Sequence, residues 1–218
     1  MIQPAEPYAE LLELAEDRAY QKGVDLCFSV LDDGGEIDRA FWTLHIGLLY
    51  FLNFWENGTL FEEAPRFTEK ALWLDATRSE IHFWHGHVVE ISFKDYTQAQ
   101  DQYDDCLEIE PDHVYAHLAM ATLNLPPETA KSHLEQILAQ QPNNYRALML
   151  YADACTKLDL GGAAIAAYEK VIESEPYFEH SRGIMNRYIN TEMTFASLRA
   201  GVVKDAQKKL DALRRPRA

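Results

Sequence analysis

Basic residues are scarce in this chain: among 218 residues, 20 Lys and Arg stand against 35 Asp and Glu, a net charge of −15. That balance excludes general binding to nucleic acid, because a phosphate backbone calls for clustered cations. Cysteine is scarcer still. Cys27, Cys106 and Cys155 are widely spaced and form no Cys-x-x-Cys pair, which excludes a disulfide framework and points to a reducing, cytoplasmic compartment. There is also no apolar run of the roughly 20 residues that a membrane span needs. The longest, Ala40 to Trp55, is broken by His45 and Asn53 and reads as a helix buried on several faces. The segment from Met1 to Glu6 has neither a basic region nor an apolar core, so no secretory leader is expected there.

Patterns that carry chemistry are missing as well. Leu160-Gly161-Gly162-Ala163-Ala164 matches neither a phosphate loop nor a dinucleotide fingerprint and reads as a turn between helices. Asp101, Asp104, Asp105 and Glu108 lie at helical spacing, as the solvated face of a helix does, with no glycine at a calcium-loop position. No Ser/His/Asp or Cys/His arrangement is supported by spacing. His82, His85 and His87 cluster, and His113 and His117 share a helix face. A zinc site needs three or four convergent ligands, so the expectation is no metal, no cofactor and no catalytic residue. A metal-dependent enzyme using these histidines stays as the distant alternative. His87 is the histidine expected to be exposed.

What is present is periodicity. Pro111, Pro142 and Pro176 each end a helix-like stretch, at spacings of 31 and 34 residues. Twelve residues before each proline stands an alanine (Ala99, Ala130, Ala164), eight before it a large apolar residue (Tyr103, Leu134, Tyr168), and five before it a smaller one (Cys106, Ile137, Val171). Asp32-Asp33-Gly34-Gly35 breaks the helical pattern near the N-terminus. Charge is uneven too: residues 204–218 carry six basic and two acidic side chains, a net of +4, which leaves −19 on residues 1–203. That basic tail reads as a solvated terminal helix, or as a contact with an anionic surface or the acidic body of a second copy.

On those registered positions the chain resembles the tetratricopeptide repeat (TPR) family, whose unit of about 34 residues pairs two helices. Four copies are read, at 45–78, 79–113, 114–144 and 145–178. Their small-residue marks are Gly86/Ala99, Ala121/Ala130 and Ala152/Ala164; in the first copy Phe51-Leu52 stands at the Leu-Gly pair. The copy 114–144 is three residues short between its helices, where Pro126-Pro127-Glu128 is suited to opening the second one. Residues 1–44 and 179–218 are expected to be capping helices, the latter with the basic tail. The resemblance implies an all-α, right-handed superhelical solenoid of antiparallel helix pairs, because one unit cannot bury its own apolar face.

The resemblance also implies a groove lined by the first helix of each pair. Transferred residue by residue, it comprises Tyr50, Asn53 and Glu56, then Glu80, Phe83, Trp84, His87 and Glu90. It continues with Tyr115, Leu118 and Thr122, then Arg146, Met149, Asp153 and Thr156, and Arg187 in the cap. Phe83 and Trp84 either line that groove or pack against neighbouring helices. The family's clamp for a peptide carboxylate is missing, since Leu49, Trp84 and Ala119 occupy its basic positions. The function implied is that of a non-enzymatic adaptor or assembly chaperone holding a partner peptide or helix. Size, acidity and caps resemble the cytoplasmic repeat chaperones of bacterial secretion systems. The alternative is a homo-oligomeric scaffold joined through its terminal helices or the apolar 40–55 segment.

Overall fold

The computed structural model describes residues 5–33, 35–58, 62–123, 125–173, 185 and 195–215, and among them are eleven helices and no strand. They fall into two compact units. The first holds α1 (Ala5–Glu16), α2 (Tyr20–Asp32), α3 (Arg39–Asn57), α4 (Glu63–Leu74), α5 (Ser79–Phe93) and α6 (Tyr96–Ile109). The second holds α7 (Val114–Thr122), α8 (Pro127–Gln140), α9 (Tyr145–Lys157), α10 (Gly161–Glu173) and α11 (Phe195–Arg214). Within each unit every helix packs on the next in chain order, and α3 also meets α5 as α7 meets α9. No described helix is long and apolar enough to cross a membrane.

Local chemistry sets the helix starts. Asp38 accepts from the Phe41 N–H at 2.9 Å, Asp95 from Gln98 at 3.0 Å, His113 Nδ1 from Ala116 at 3.0 Å, and Asn144 from Ala147 at 3.1 Å. Each satisfies an amide that the first turn leaves without a helical partner. Pro127 opens α8, where its missing N–H costs nothing. Gly161 and Gly162 begin α10 instead of forming the turn read from sequence; Asp159, at φ +56°, makes that turn.

Close approach of paired helices follows the small residues. A Cβ on Gly86 of α5 would lie 3.1 Å from the Tyr103 ring and 3.2 Å from the Ala99 carbonyl of α6. In the first pair the residue that does this is Gly47, not Leu52. A Cβ there would stand 2.7 Å from Thr68 Cγ2 and 3.2 Å from the Ala64 carbonyl. The register of α3 is therefore five residues earlier than the Phe51-Leu52 assignment, and α3 begins at Arg39. Thr68 completes this contact by donating to the Ala64 and Pro65 carbonyls while its Oγ1 lies 3.0 Å from His85 Nδ1. Cys27, Cys106 and Cys155 are buried and unpaired with one another, and burial pushes the Cys27 and Cys106 thiols up to about 12, so they are inert.

In the second unit Leu148, Ala152, Cys155, Ala164, Tyr168, Val171, Ala206 and Leu210 form one cluster joining α9, α10 and α11. The basic helix α11 is tied down by charge as well. Lys209 reaches both oxygens of Asp153, at 3.0 and 2.9 Å, and Arg214 pairs with Glu169. These two cations thus serve their own unit. Pro176, the helix expected over 178–191 and Arg187 lie outside the described residues.

Candidate functional site

The residues transferred from the repeat pattern separate into two groups. In the first unit, Phe83 and Trp84 are each only 6% exposed, which makes them core side chains of α5 and not the open lining of a groove. Phe83 stacks on His87 (centroids 5.9 Å, 12°) and tilts against Tyr103 at 6.0 Å, with Trp84 edge-on to Phe83 at 4.9 Å. Phe51 of α3 completes the ring cluster 6.0 Å from His87. His87 is half-buried, and burial lowers it to about 4. Glu90 accepts the Tyr103 hydroxyl at 2.6 Å. Glu80 is exposed as a residue, yet crowding around its carboxyl raises it above the usual range, against a hydrogen bond from Trp84 and the charge of Arg78.

The register of α3 moves three further assignments. Matching Gly47 to Gly86 puts Phe41, Leu44, His45, Leu48 and Phe51 where α5 has Glu80, Phe83, Trp84, His87 and Glu90. Tyr50, Asn53 and Glu56 therefore leave the expected face. Tyr50 stacks on Phe67 of α4 at 5.7 Å, Asn53 accepts from Asn57 at 2.8 Å, and Glu56 pairs with Arg18 at 3.4 Å. Tyr8 of α1 sits edge-on to Phe41 and His45 instead, at 5.2 and 5.5 Å.

The histidines are structural by their contacts. His45 Nδ1 donates to the Phe41 carbonyl at 2.8 Å. His82 lies between the Ala76 carbonyl at 2.9 Å and Gln102 Oε1 at 3.0 Å. His117 and His133 face each other with their Nδ1 atoms 2.9 Å apart, one donating and the other accepting. No group of three or more metal-ligating side chains converges among the described residues.

The second unit holds an open cleft of about 540 Å³. Its origin is the short repeat. Helix α7 has 9 residues where α5 has 15 and α9 has 13, and it stops at Thr122 ahead of the Pro126-Pro127 start of α8. The space that a longer α7 would fill stays open between Ala121, Thr122, Leu123, Leu125, Pro127 and Ala130 on one side and α9 on the other. From α9 come Leu150, Asp153, Ala154 and Lys157, at spacings of three and four that place them on one face, with Thr156 beside them. Two expected groove residues, Thr122 and Asp153, and their companion Thr156 meet here. Leu150 and Lys157 were missed, although their helical spacing from Asp153 is a signal present in the sequence. Arg146 is exposed elsewhere on α9 and donates to the Tyr145 hydroxyl at 3.1 Å. Met149 packs into the α9–α11 cluster, Leu118 against Leu134, Ile137 and Ala147, and Tyr115 lies 6.3 Å from the His113 ring.

The polar groups of the cleft are largely committed. Asp153 accepts from the Tyr168 hydroxyl at 2.5 Å besides holding Lys209. Burial and that carboxylate both raise the Tyr168 phenol. Burial opposes the charge of Lys209, but Asp153 and Asp205 outweigh it and hold the ammonium above its ordinary value. Thr122 and Thr156 spend their hydroxyl protons on the Ala119 and Ala152 carbonyls, each at 2.8 Å. An apolar floor with few polar groups is suited to side-chain recognition.

Comparison with known proteins agrees with this architecture. Residues 127–185, which include α8, α9 and α10, match the tetratricopeptide repeat family model. No curated protein matches the sequence. Among solved structures, MamA superposes with a TM-score of 0.60 at 16% identity, over 72% of this chain and 90% of that one. TTC0263, a thermophilic TPR protein in Thermus thermophilus, gives 0.59 at 14% identity, over 91% and 97%. YrrB, described as a TPR protein with an unusual peptide-binding site, gives 0.58 at 13%, over 93% and 90%. Likeness at such identities is one of fold. With its all-α helix pairs and registered small residues this chain has a tetratricopeptide-repeat-like fold, and residues 127–185 match that family's model.

Proposed function

We propose that this protein is a non-enzymatic interaction adaptor that seats a segment of a partner protein in the cleft beside α9. The observation that carries the reading is the cleft itself, an apolar hollow opened by a shortened helix and bordered by polar groups most of which already have partners. Hollows of this size with apolar lining commonly take side chains of a ligand. The peptide-binding site named for YrrB supports the same use of a related fold. In this reading the repeats are 79–113, 114–144 and 145–178 preceded by the pair α3–α4, which starts at Arg39 and not at 45, the segments before and after them are the caps, and the setting is the cytoplasm. An assembly-chaperone role is one form such an adaptor takes.

The test is cross-linking in native extract followed by mass spectrometry, repeated with Thr122→Trp and with Arg146→Glu. Thr122 is exposed, so a tryptophan there blocks the cleft without entering the core. Partner cross-links are expected to vanish with Thr122→Trp and to persist with Arg146→Glu. Unchanged cross-links in a folded Thr122→Trp variant would refute the cleft as the binding site. A homo-oligomeric scaffold would instead show self-cross-links and a concentration-dependent mass.

A further inference from the structure

Charge at the cleft mouth discriminates between partners. Among the described lining residues Asp153 is the only carboxylate, and Lys209 and Tyr168 already hydrogen-bond to it. The two threonines have given up their hydroxyl protons to their own helices. Lys157 is different. It is exposed, stands on the same face of α9 as Leu150, Asp153 and Ala154, and has no hydrogen bond or ion pair among the described residues. One uncommitted ammonium therefore borders an apolar hollow whose carboxylate, among the described lining residues, is already bound by Lys209 and Tyr168.

We propose that the cleft selects an internal acidic–apolar segment of its partner, with a leucine-sized side chain seated against Leu123, Leu125 and Leu150 and a neighbouring carboxylate paired with Lys157. This inference rests on the cleft being the binding site. The apolar side chain supplies burial, and the carboxylate supplies register and selectivity, since charge pairs at a rim contribute more to specificity than to affinity. A basic segment meets repulsion from Lys157 and finds Asp153 already paired. Lys157 also lies in the last turn of α9, where an ammonium complements the helix dipole. That role predicts an effect on helix stability but none on ligand choice.

The experiment is selection of a displayed library of random internal 12-residue peptides on the full chain, on Lys157→Glu and on Thr122→Trp, each first checked for native helicity. The wild type is expected to enrich peptides with Asp or Glu within three residues of Leu, Ile, Met or Phe. Synthesised individually, those peptides should lose at least tenfold in affinity to Lys157→Glu, or when their acid is changed to the amide, and should bind not at all to Thr122→Trp. Enrichment of neutral or basic peptides that Thr122→Trp still blocks would overturn the acidic preference and leave the cleft reading standing. Peptides that bind Thr122→Trp as well as the wild type, or a selection that enriches nothing, would overturn both.

Discussion

Gly47 and Gly86 set how closely two pairs of helices approach, and a single methyl group at either position measures it. Alanine is worth roughly 1 kcal/mol over glycine inside a helix, but overpacking a tight contact costs about 1–3 kcal/mol. At Gly47 the new Cβ would lie 3.0 Å from the Thr68 backbone nitrogen as well as 2.7 Å from its methyl, so neither neighbour retreats freely. Gly47→Ala is expected to destabilise by about 2 kcal/mol and Gly86→Ala by about 1 kcal/mol. Gly201 in α11 meets nothing within 4 Å, so Gly201→Ala should stabilise by up to about 1 kcal/mol. Thermal melts of the three variants test the ordering, and a rise in Tm for Gly47→Ala would contradict it. Trp84 belongs with these core residues. Trp84→Ala should cost about 3–5 kcal/mol, as the truncation of a buried aromatic does, while partner capture by the second unit persists.

Helices α3 and α5 carry histidines whose neutrality the fold requires. Burial lowers His45, His85 and His87 to about 4 from an ordinary 6.5, in each case as the first cause. Between those values the unfolded chain binds the protons that the folded chain refuses. Stability is therefore full above pH 6.5 and falls as pH drops toward 4, by up to about 3 kcal/mol for each fully buried ring. Denaturant melts from pH 7.5 to 4.5 should show the midpoint falling steadily below pH 6.5, and His85→Gln should flatten the slope. At α11 the tie is electrostatic and half-exposed, so it is modest. Lys209→Met should remove about 1 kcal/mol, seen as about fivefold faster hydrogen exchange over residues 200–214 with α7 and α8 unchanged. Equal acceleration across the whole second unit would mean that Lys209 supports more than α11.

Across the molecule the acidic excess is concentrated in one region. Residues 1–111 carry 23 acidic and 7 basic side chains, while residues 112–218 carry 12 and 13. The contrast of −19 and +4 drawn from the terminal residues thus becomes −16 and +1 when the chain is divided between α6 and α7. All four tryptophans, Trp42, Trp55, Trp73 and Trp84, lie in the first unit, together with the three histidines held near 4. Tryptophan fluorescence consequently reports that unit alone. On acidification its transition should come at a higher pH than loss of exchange protection in α9 and α10. Coincident transitions would show that the two units unfold as one.

Periodicity alone was enough to recognise an all-α array of helix pairs, because small residues and terminal prolines mark helix contacts that depend on local spacing. Pro127 and the caps at Asp95 and Asn144 are of the same kind, set by side chains within a few residues of one another. The face presented by α3 was not legible. Its apolar run from Ala40 to Phe54 has no polar stripe to orient it, so only the contact of Gly47 with Ala64 and Thr68 settles the register. Burial of Phe83 and Trp84 likewise depends on Phe51, His87 and Tyr103 converging from three helices. The cleft lies between the two cases. Three missing residues are visible in the sequence, but whether neighbours collapse into such a gap or leave it open is a matter of packing. Here α9 turns Leu150, Asp153, Ala154 and Lys157 toward that space, and it remains a cleft.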